Sequence, residues 1–178
     1  MHTKKLELPS QEYLKECFHY DLLTGDLVWK TRPAHHFSRA SVCNRWNAKY
    51  ANKLAGSKHS KGYRQISLRG GNWFAHRIIW KLMLSIDLGD CIDHINHNRI
   101  DNGWINLRSV SCAENNKNVS MSSNNISGVT GVSWCRKNRN WQTHVGHESQ
   151  GYYSSLQSAE MAVIAARARK GYHENHGK

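Results

Sequence analysis

The chain has 178 residues, room for one ordinary domain or two small ones, and its 25 Lys and Arg against 13 Asp and Glu give a formal charge of +12. That excess points to polyanionic partners, nucleic acid first, and it is spread along the chain: 18 basic against 10 acidic residues precede position 119 and 7 against 3 follow it. No apolar run approaches the roughly 20 residues of a spanning helix, and five cysteines (Cys17, Cys43, Cys91, Cys112, Cys135) without a C-x-x-C pair exclude a disulfide framework and a zinc ribbon.

The opening residues MHTKKLELPSQEY lack the apolar core of a leader peptide, so the expected location is cytoplasmic, with no membrane partner and with buried free thiols. Ser10 can cap a short helix whose Leu14, Cys17 and Phe18 share one face. A hairpin is predicted next, Asp21-Leu22-Leu23 and Leu27-Val28-Trp29 flanking the turn Thr24-Gly25-Asp26. Residues 31–60 show no clean period and are expected to be mostly loop. A second hairpin follows, with Tyr63, Ile66 and Leu68 before Gly70-Gly71 and Trp73-Phe74-Ala75 after it. His76 to Leu84 predicts a helix with Ile79, Trp80 and Met83 on one face.

Between Asn115 and Ser127 the chain is Asn, Ser and Lys with almost no apolar residue, the composition of a linker, placed at 119–127. Beyond it, Val129–Arg136, Trp141–His147 and Tyr152–Leu156 predict a three-stranded antiparallel sheet, with turns at Lys137-Asn138-Arg139-Asn140 and Ser149-Gln150-Gly151. Ser158 can cap a closing helix whose Ala162, Ala165, Ala166 and Ala168 face the sheet, and Gly171 is a natural stop.

The most informative stretch is Cys91-Ile92-Asp93-His94-Ile95-Asn96-His97-Asn98, then Asn102, Trp104-Ile105-Asn106-Leu107-Arg108 and Ala113-Glu114-Asn115. It resembles the ββα-metal motif of HNH endonucleases of the phage and homing type, in which an Asp-His pair, an Asn-Leu-Arg and a helical His or Asn recur in this order. Here Asn115 takes the closing position and Ser109 stands where an aromatic is common. The resemblance implies a ββα-metal core at about 74–118 within an N-terminal nuclease domain, 1–118.

The chemistry gives these residue types a reason to meet. Phosphodiester hydrolysis needs a water made nucleophilic near neutral pH and neutralisation of charge on phosphate and leaving oxygen. Imidazole suits the first task, so His94 is the expected general base. Asp93 and Asn115 offer the hard oxygen ligands that one divalent cation, Mg²⁺ or Mn²⁺, prefers. By resemblance, Asn106 tethers the loop that orients His94, and the products carry 5′-phosphate and 3′-hydroxyl ends. Phe74 to Trp80 resembles the helix preceding this motif in phage proteins; His76 there is either a packed ring or a DNA contact, and Arg77 a DNA contact.

Gly128-Val129-Thr130-Gly131-Val132-Ser133-Trp134, Trp141 and Ser158-Ala159-Glu160 resemble an AP2-like DNA-binding domain, 128–178, a three-stranded sheet backed by one helix. The pattern departs from that family at Thr130 and Ser154-Ser155. By the resemblance, strand residues pointing away from the helix meet the major groove. Trp134, Arg136, Lys137, Arg139, Trp141 and Thr143 are the candidates, with Arg108 upstream, although Trp134 and Trp141 equally suit a cross-strand pair.

The expectation is therefore an α+β chain that cuts double-stranded DNA with a divalent cation. A single site per chain nicks as a monomer and can break both strands as a homodimer; no obligate protein partner is evident. Two other readings stay open, a catalytically silent DNA-binding regulator on the same fold and action on RNA.

Overall fold

The computed structural model describes residues 7–86 and 91–178. The first six residues, part of the leader-peptide reading, lie outside the described residues. The architecture is α+β, with small antiparallel sheets and short helices, and the chain folds as two compact units, Met1–Ser109 and Val110–Lys178.

In the first unit, Ser10 caps α1 (Gln11–Cys17) by accepting from Tyr13 N, and Leu14 and Cys17 are fully buried. The first hairpin pairs β1 (Phe18–Tyr20) with β2 (Leu27–Trp29), so its first strand lies earlier than expected. Asp21-Leu22-Leu23 belong to the turn because Asp21 Oδ1 accepts from Leu23 N and Thr24 N, an arrangement that bends the chain at Asp21 and leaves Leu23 in solvent. Gly25 in this turn has φ 76°, and a Cβ there would sit 2.2 Å from Asn102 C and Gly103 N. Gly25→Ala is therefore expected to cost about 3 kcal/mol or more in urea unfolding, against about 1 kcal/mol for Gly70→Ala, where φ is 74° but space is open.

The stretch expected to be loop contains α2 (Ala40–Tyr50), a correction. Only Cys43 of this helix is buried, so no apolar period announces it. It is held instead through tertiary contacts: Asn47 bonds both Arg32 N and Arg32 O, and Trp46 meets Trp29 edge-on. A three-stranded sheet follows, β3 (Ser57–Lys58), β4 (Arg64–Leu68) and β5 (Gly71–Phe74) in that order. The β4–β5 turn places Arg69 and Gly70 both at positive φ, as a two-residue hairpin loop of primed type requires.

The next helix, α3 (Ala75–Leu84), buries Ala75, Ile78, Ile79 and Leu82 at helical spacing, while Met83 is 38% exposed rather than facing the core. These residues join Leu14, Leu27, Trp29, Ile66 and Leu107 in one apolar cluster. Among the cysteines, Cys17 and Cys43 are buried but Cys112 is exposed, which corrects the expectation of five enclosed thiols. Strand β6 (Cys91–His94) pairs with β7 (Leu107–Val110) as a two-stranded sheet.

The second unit opens with the single-turn α4 (Cys112–Asn115), closed by a full capping box between Ser111 and Glu114. The polar stretch read as a linker carries backbone bonds to the chain's tail, Gly177 N to Val119 O and Met121 N to Lys178 O. Its Ser127 Oγ also donates to Val132 O. The sheet β8 (Val132–Cys135), β9 (Asn140–Val145), β10 (Glu148–Tyr153) is antiparallel with β9 central. Its second turn lies at Gly146-His147, where Gly146 takes φ 63°, so the expected turn at Ser149-Gln150-Gly151 is strand with a bulge.

Helix α5 (Leu156–Arg169) is capped by Ser155, not Ser158: Ser155 Oγ accepts from Ser158 N. It packs Ala159, Val163 and Ala166 onto Val132 and Val145, whereas Ala165 and Ala168 are exposed, a shift of the expected small-residue face. Gly171, at φ 66°, follows its last turn.

Candidate active site

The loop from Ile95 to Asn106 is built almost wholly from side-chain amides and carboxylates bonding the backbone. Ile95 N bonds Asn106 O at its base, and the Asn106 amide spans the loop, Oδ1 accepting from Asn96 N and Nδ2 donating to Asp101 O. Within it Asn96 Oδ1 accepts from Asn98 N, Asn98 Oδ1 from Ile100 N and Asp101 Oδ1 from Gly103 N. Short polar side chains that turn their own backbone make this an ordered loop without an apolar core of its own.

The first hairpin supports it from outside. Tyr20 Oη donates to Asn102 O at 2.8 Å, Trp104 N donates to Leu22 O, and Gly25 lies against Asn102 and Gly103. Burial pushes the Tyr20 phenol up to about 12, so this donor keeps its proton at any working pH.

Asp93 and His94 end β6 nearly enclosed, at 6% and 4% exposure. His94 Nε2 lies 3.2 Å from Asn102 Oδ1, and Asn102 Nδ2 donates to Ile100 O, so the oxygen faces the imidazole. An amide oxygen only accepts, which puts the proton of the neutral ring on Nε2 and the lone pair on Nδ1. Burial holds His94 below the ordinary histidine pKa, outweighing the Asn102 bond and the Asp93 charge, which raise it. Asp93 Oδ2 accepts from Arg108 Nε at 3.0 Å and Nη2 at 2.8 Å.

His76, at the first turn of α3, is 7% exposed and meets His94 edge-to-face at 5.2 Å between ring centroids. Tyr63 and Phe74 flank it at 5.2 and 5.7 Å, and Arg99 lies over Tyr63. Burial, then the neighbouring charges of His94 and Arg77, bring the His76 pKa down to about 3.

The folded chain thus gathers Asp93, His94, Asn106 and Arg108 in the first unit, and adds Asn102 and His76, which the motif reading left as a loop former and an undecided ring. A buried Asn bears no local mark in a single sequence; its spacing within an Asn-rich loop was the available signal. Arg77 is half-buried on α3, and Asn115 closes α4. Arg108, expected on DNA, pairs with Asp93 while its side chain stays 32% exposed. The carboxylate of Asp93 fits a hard divalent cation: it is an enclosed anionic oxygen donor that already attracts one cationic group.

In the second unit the strand register corrects the expected DNA face. Trp134 lies opposite Trp141, and Val132 opposite Thr143, so these side chains share the α5 side of the sheet, where Val132 and Trp141 pack and Trp134 is 46% exposed. Thr143 is fully buried and donates to Gly151 O; Trp134 and Trp141 are a cross-strand pair at 5.0 Å. The opposite side carries Ser133, Gln142, His144 and Tyr152, while Arg136, Lys137 and Arg139 are exposed in the β8–β9 turn.

A second cluster of ligand-type groups, Glu16, His35 and His36, lies in the first unit. Arg32 Nε donates to His36 Nδ1, which places the His36 proton on Nε2, and that nitrogen donates to Glu16 Oε2 at 2.6 Å. The nitrogen facing the cluster is thus a donor without a lone pair for a metal. Among the described residues, no helix is long and apolar enough to cross a membrane.

Residues 74–117 match the family described as HNH endonuclease. Over 93 residues the chain is 29% identical to "Protein 3.8" of Escherichia phage T7, a match covering 52% of this chain and 75% of the phage protein. No solved structure matches. The matched segment, Phe74 through Lys117, holds β6, the amide-built loop, β7 and α4, and it is this stretch that is similar to the HNH endonuclease family.

Proposed function

We propose that the protein is a metal-dependent endonuclease that hydrolyses phosphodiester bonds in duplex DNA, with His94 as general base. The observation carrying this reading is the fixed imidazole of His94: enclosed, held at Nε2 by Asn102, adjacent to Asp93 and carried on a loop closed by Asn106. With Nε2 so engaged, Nδ1 is the atom that takes a proton from the attacking water, and a depressed pKa keeps it ready to do so at neutral pH.

A divalent cation, Mg²⁺ or Mn²⁺, would supply charge neutralisation at the phosphate and leaving oxygen. Asp93 would hold it, and the assignment of Asn115 as a further ligand rests on its place in the motif. Asn106 keeps His94 oriented, and Arg99 and Arg108 provide positive charge for the phosphate backbone. Products would carry 5′-phosphate and 3′-hydroxyl ends.

The second unit's sheet and helix suit an AP2-like module that grips DNA, with Arg136, Lys137 and Arg139 on phosphates and the Gln142 and Tyr152 side toward the bases. Gln142→Ala with Tyr152→Ala is expected to weaken duplex binding by roughly thirtyfold, at about 1 kcal/mol for each of the two lost base contacts. Unchanged binding in a gel-shift titration would remove the module from DNA recognition.

One observation favours a second reading, a catalytically silent DNA-binding regulator: Arg108 already occupies Asp93 as its cationic partner. Supercoiled plasmid incubated with Mg²⁺, with Mn²⁺ and with chelator separates the two. Nicked or linear product that disappears with chelator supports the nuclease; intact plasmid with tight DNA binding supports the regulator. An RNA duplex in competition tests the polymer, and preferential RNA binding would overturn the DNA assignment.

A further inference from the structure

His76 is a buried imidazole for which the proposed chemistry has no use. It is more than nine-tenths enclosed, yet among the described residues no hydrogen bond reaches either ring nitrogen. Its nitrogens are also absent from the fully enclosed atoms that lack a partner, so they keep some access to solvent. No described protein group uses the donor of this ring, whereas phenylalanine would fill the same space between Tyr63 and Phe74 with no polar atom at all. The ring stands edge-to-face to His94 at 5.2 Å, and Arg99, stacked over Tyr63, brings positive charge to the same place.

We propose that His76 is a substrate-contacting residue whose ring N–H donates a hydrogen bond to a backbone phosphate oxygen of the DNA strand positioned beside His94. The inference deepens the nuclease reading and rests on it. Arg99 supplies charge without direction, whereas a packed imidazole supplies one fixed donor. A ring that stays uncharged does not repel His94 as His94 takes up its proton, which a cationic residue at the same position would do.

The alternative is that the ring only packs, and two variants of opposite character tell the roles apart. His76→Phe keeps an aromatic body and removes the donor; His76→Gln keeps a donor and removes the ring. Contact with phosphate predicts that the Phe variant folds, shown by circular dichroism and melting, yet cleaves plasmid with kcat lower by roughly a hundredfold. The Gln variant then recovers most of the rate. A packing role predicts the reverse order, and wild-type cleavage by His76→Phe would overturn the proposal.

Imidazole ¹⁵N spectra of the wild-type protein, with the His76 signals assigned from the Phe variant, are recorded with chelator while a short DNA duplex is added. This readout does not need turnover and does not depend on either variant folding well enough to cut. A shift at the His76 nitrogens supports the contact, and unchanged His76 signals with DNA bound overturn it. Absence of cleavage by the wild type, with His76 shifted, overturns the nuclease reading and leaves the phosphate contact standing.

Discussion

His94→Ala is expected to slow metal-dependent cleavage of plasmid by roughly 10²–10⁴-fold while leaving DNA binding within about twofold of wild type, because it removes the proton acceptor and no phosphate charge. The pH dependence should carry the same signature. A base works only when unprotonated, and burial lowers the His94 pKa below its ordinary value. The wild-type rate should therefore hold its plateau on acidification past 6.5, the unperturbed histidine value, and fall only below it. Asn102→Ala should slow cleavage with binding intact, since the ring then loses the contact that sets Nδ1 toward the water. A His94→Ala protein that cuts at the wild-type rate would remove His94 from the chemistry.

The second large effect is on stability. His76 in the folded chain titrates near 3, against about 6.5 when unfolded, because burial penalises its charge. Below pH 6.5 the unfolded chain binds a proton that the folded chain refuses, so stability falls as pH falls, continuing until the folded pKa is reached. At 1.36 kcal/mol per unit the loss attributable to His76 is roughly 3 kcal/mol by pH 4. His94 contributes in the same direction. Urea unfolding from pH 7 to pH 4 should show a shallower decline for His76→Phe than for wild type, by about that amount. Coincident slopes would mean that the folded protein protonates His76 readily.

The two effects arise in one place, where β6 ends against the start of α3, and they pull against each other. Burial keeps both imidazoles unprotonated near neutral pH, which would suit the proposed phosphate chemistry and which destabilises the fold in acid.

Some of the fold was written locally. Gly70 marks the β4–β5 hairpin, although the turn is Arg69-Gly70 and Gly71 already belongs to the strand; α1 follows from Ser10 and its apolar spacing, and the capping box of α4 from Ser111 and Glu114. Other elements were hidden because their stabilisation is not periodic. Helix α2 buries one residue and is held by Asn47 on Arg32 and Trp46 on Trp29. The first strand of the N-terminal hairpin moved because one carboxylate, Asp21, bends the chain before the apolar pair that follows it.

The candidate site divides in the same way. Asp93, His94 and Asn106 were legible because neighbours on a strand and an amide at the far end of a polar loop act over short chain distances. The sheet face of the second unit was not, since strand alternation predicts two faces but only packing of α5 on Val132 and Val145 says which is covered. Asn102 behind His94, Arg108 on Asp93 and His76 against His94 join residues 8, 15 and 18 positions apart. Side-chain chemistry, charge and turn preference belong to single residues and their neighbours, so the chain alone determined a basic α+β protein with an HNH-type motif. Which imidazole face is held, which carboxylate is paired and which histidine is buried depend on who is brought beside whom, and burial and partnership exist only once the chain has folded.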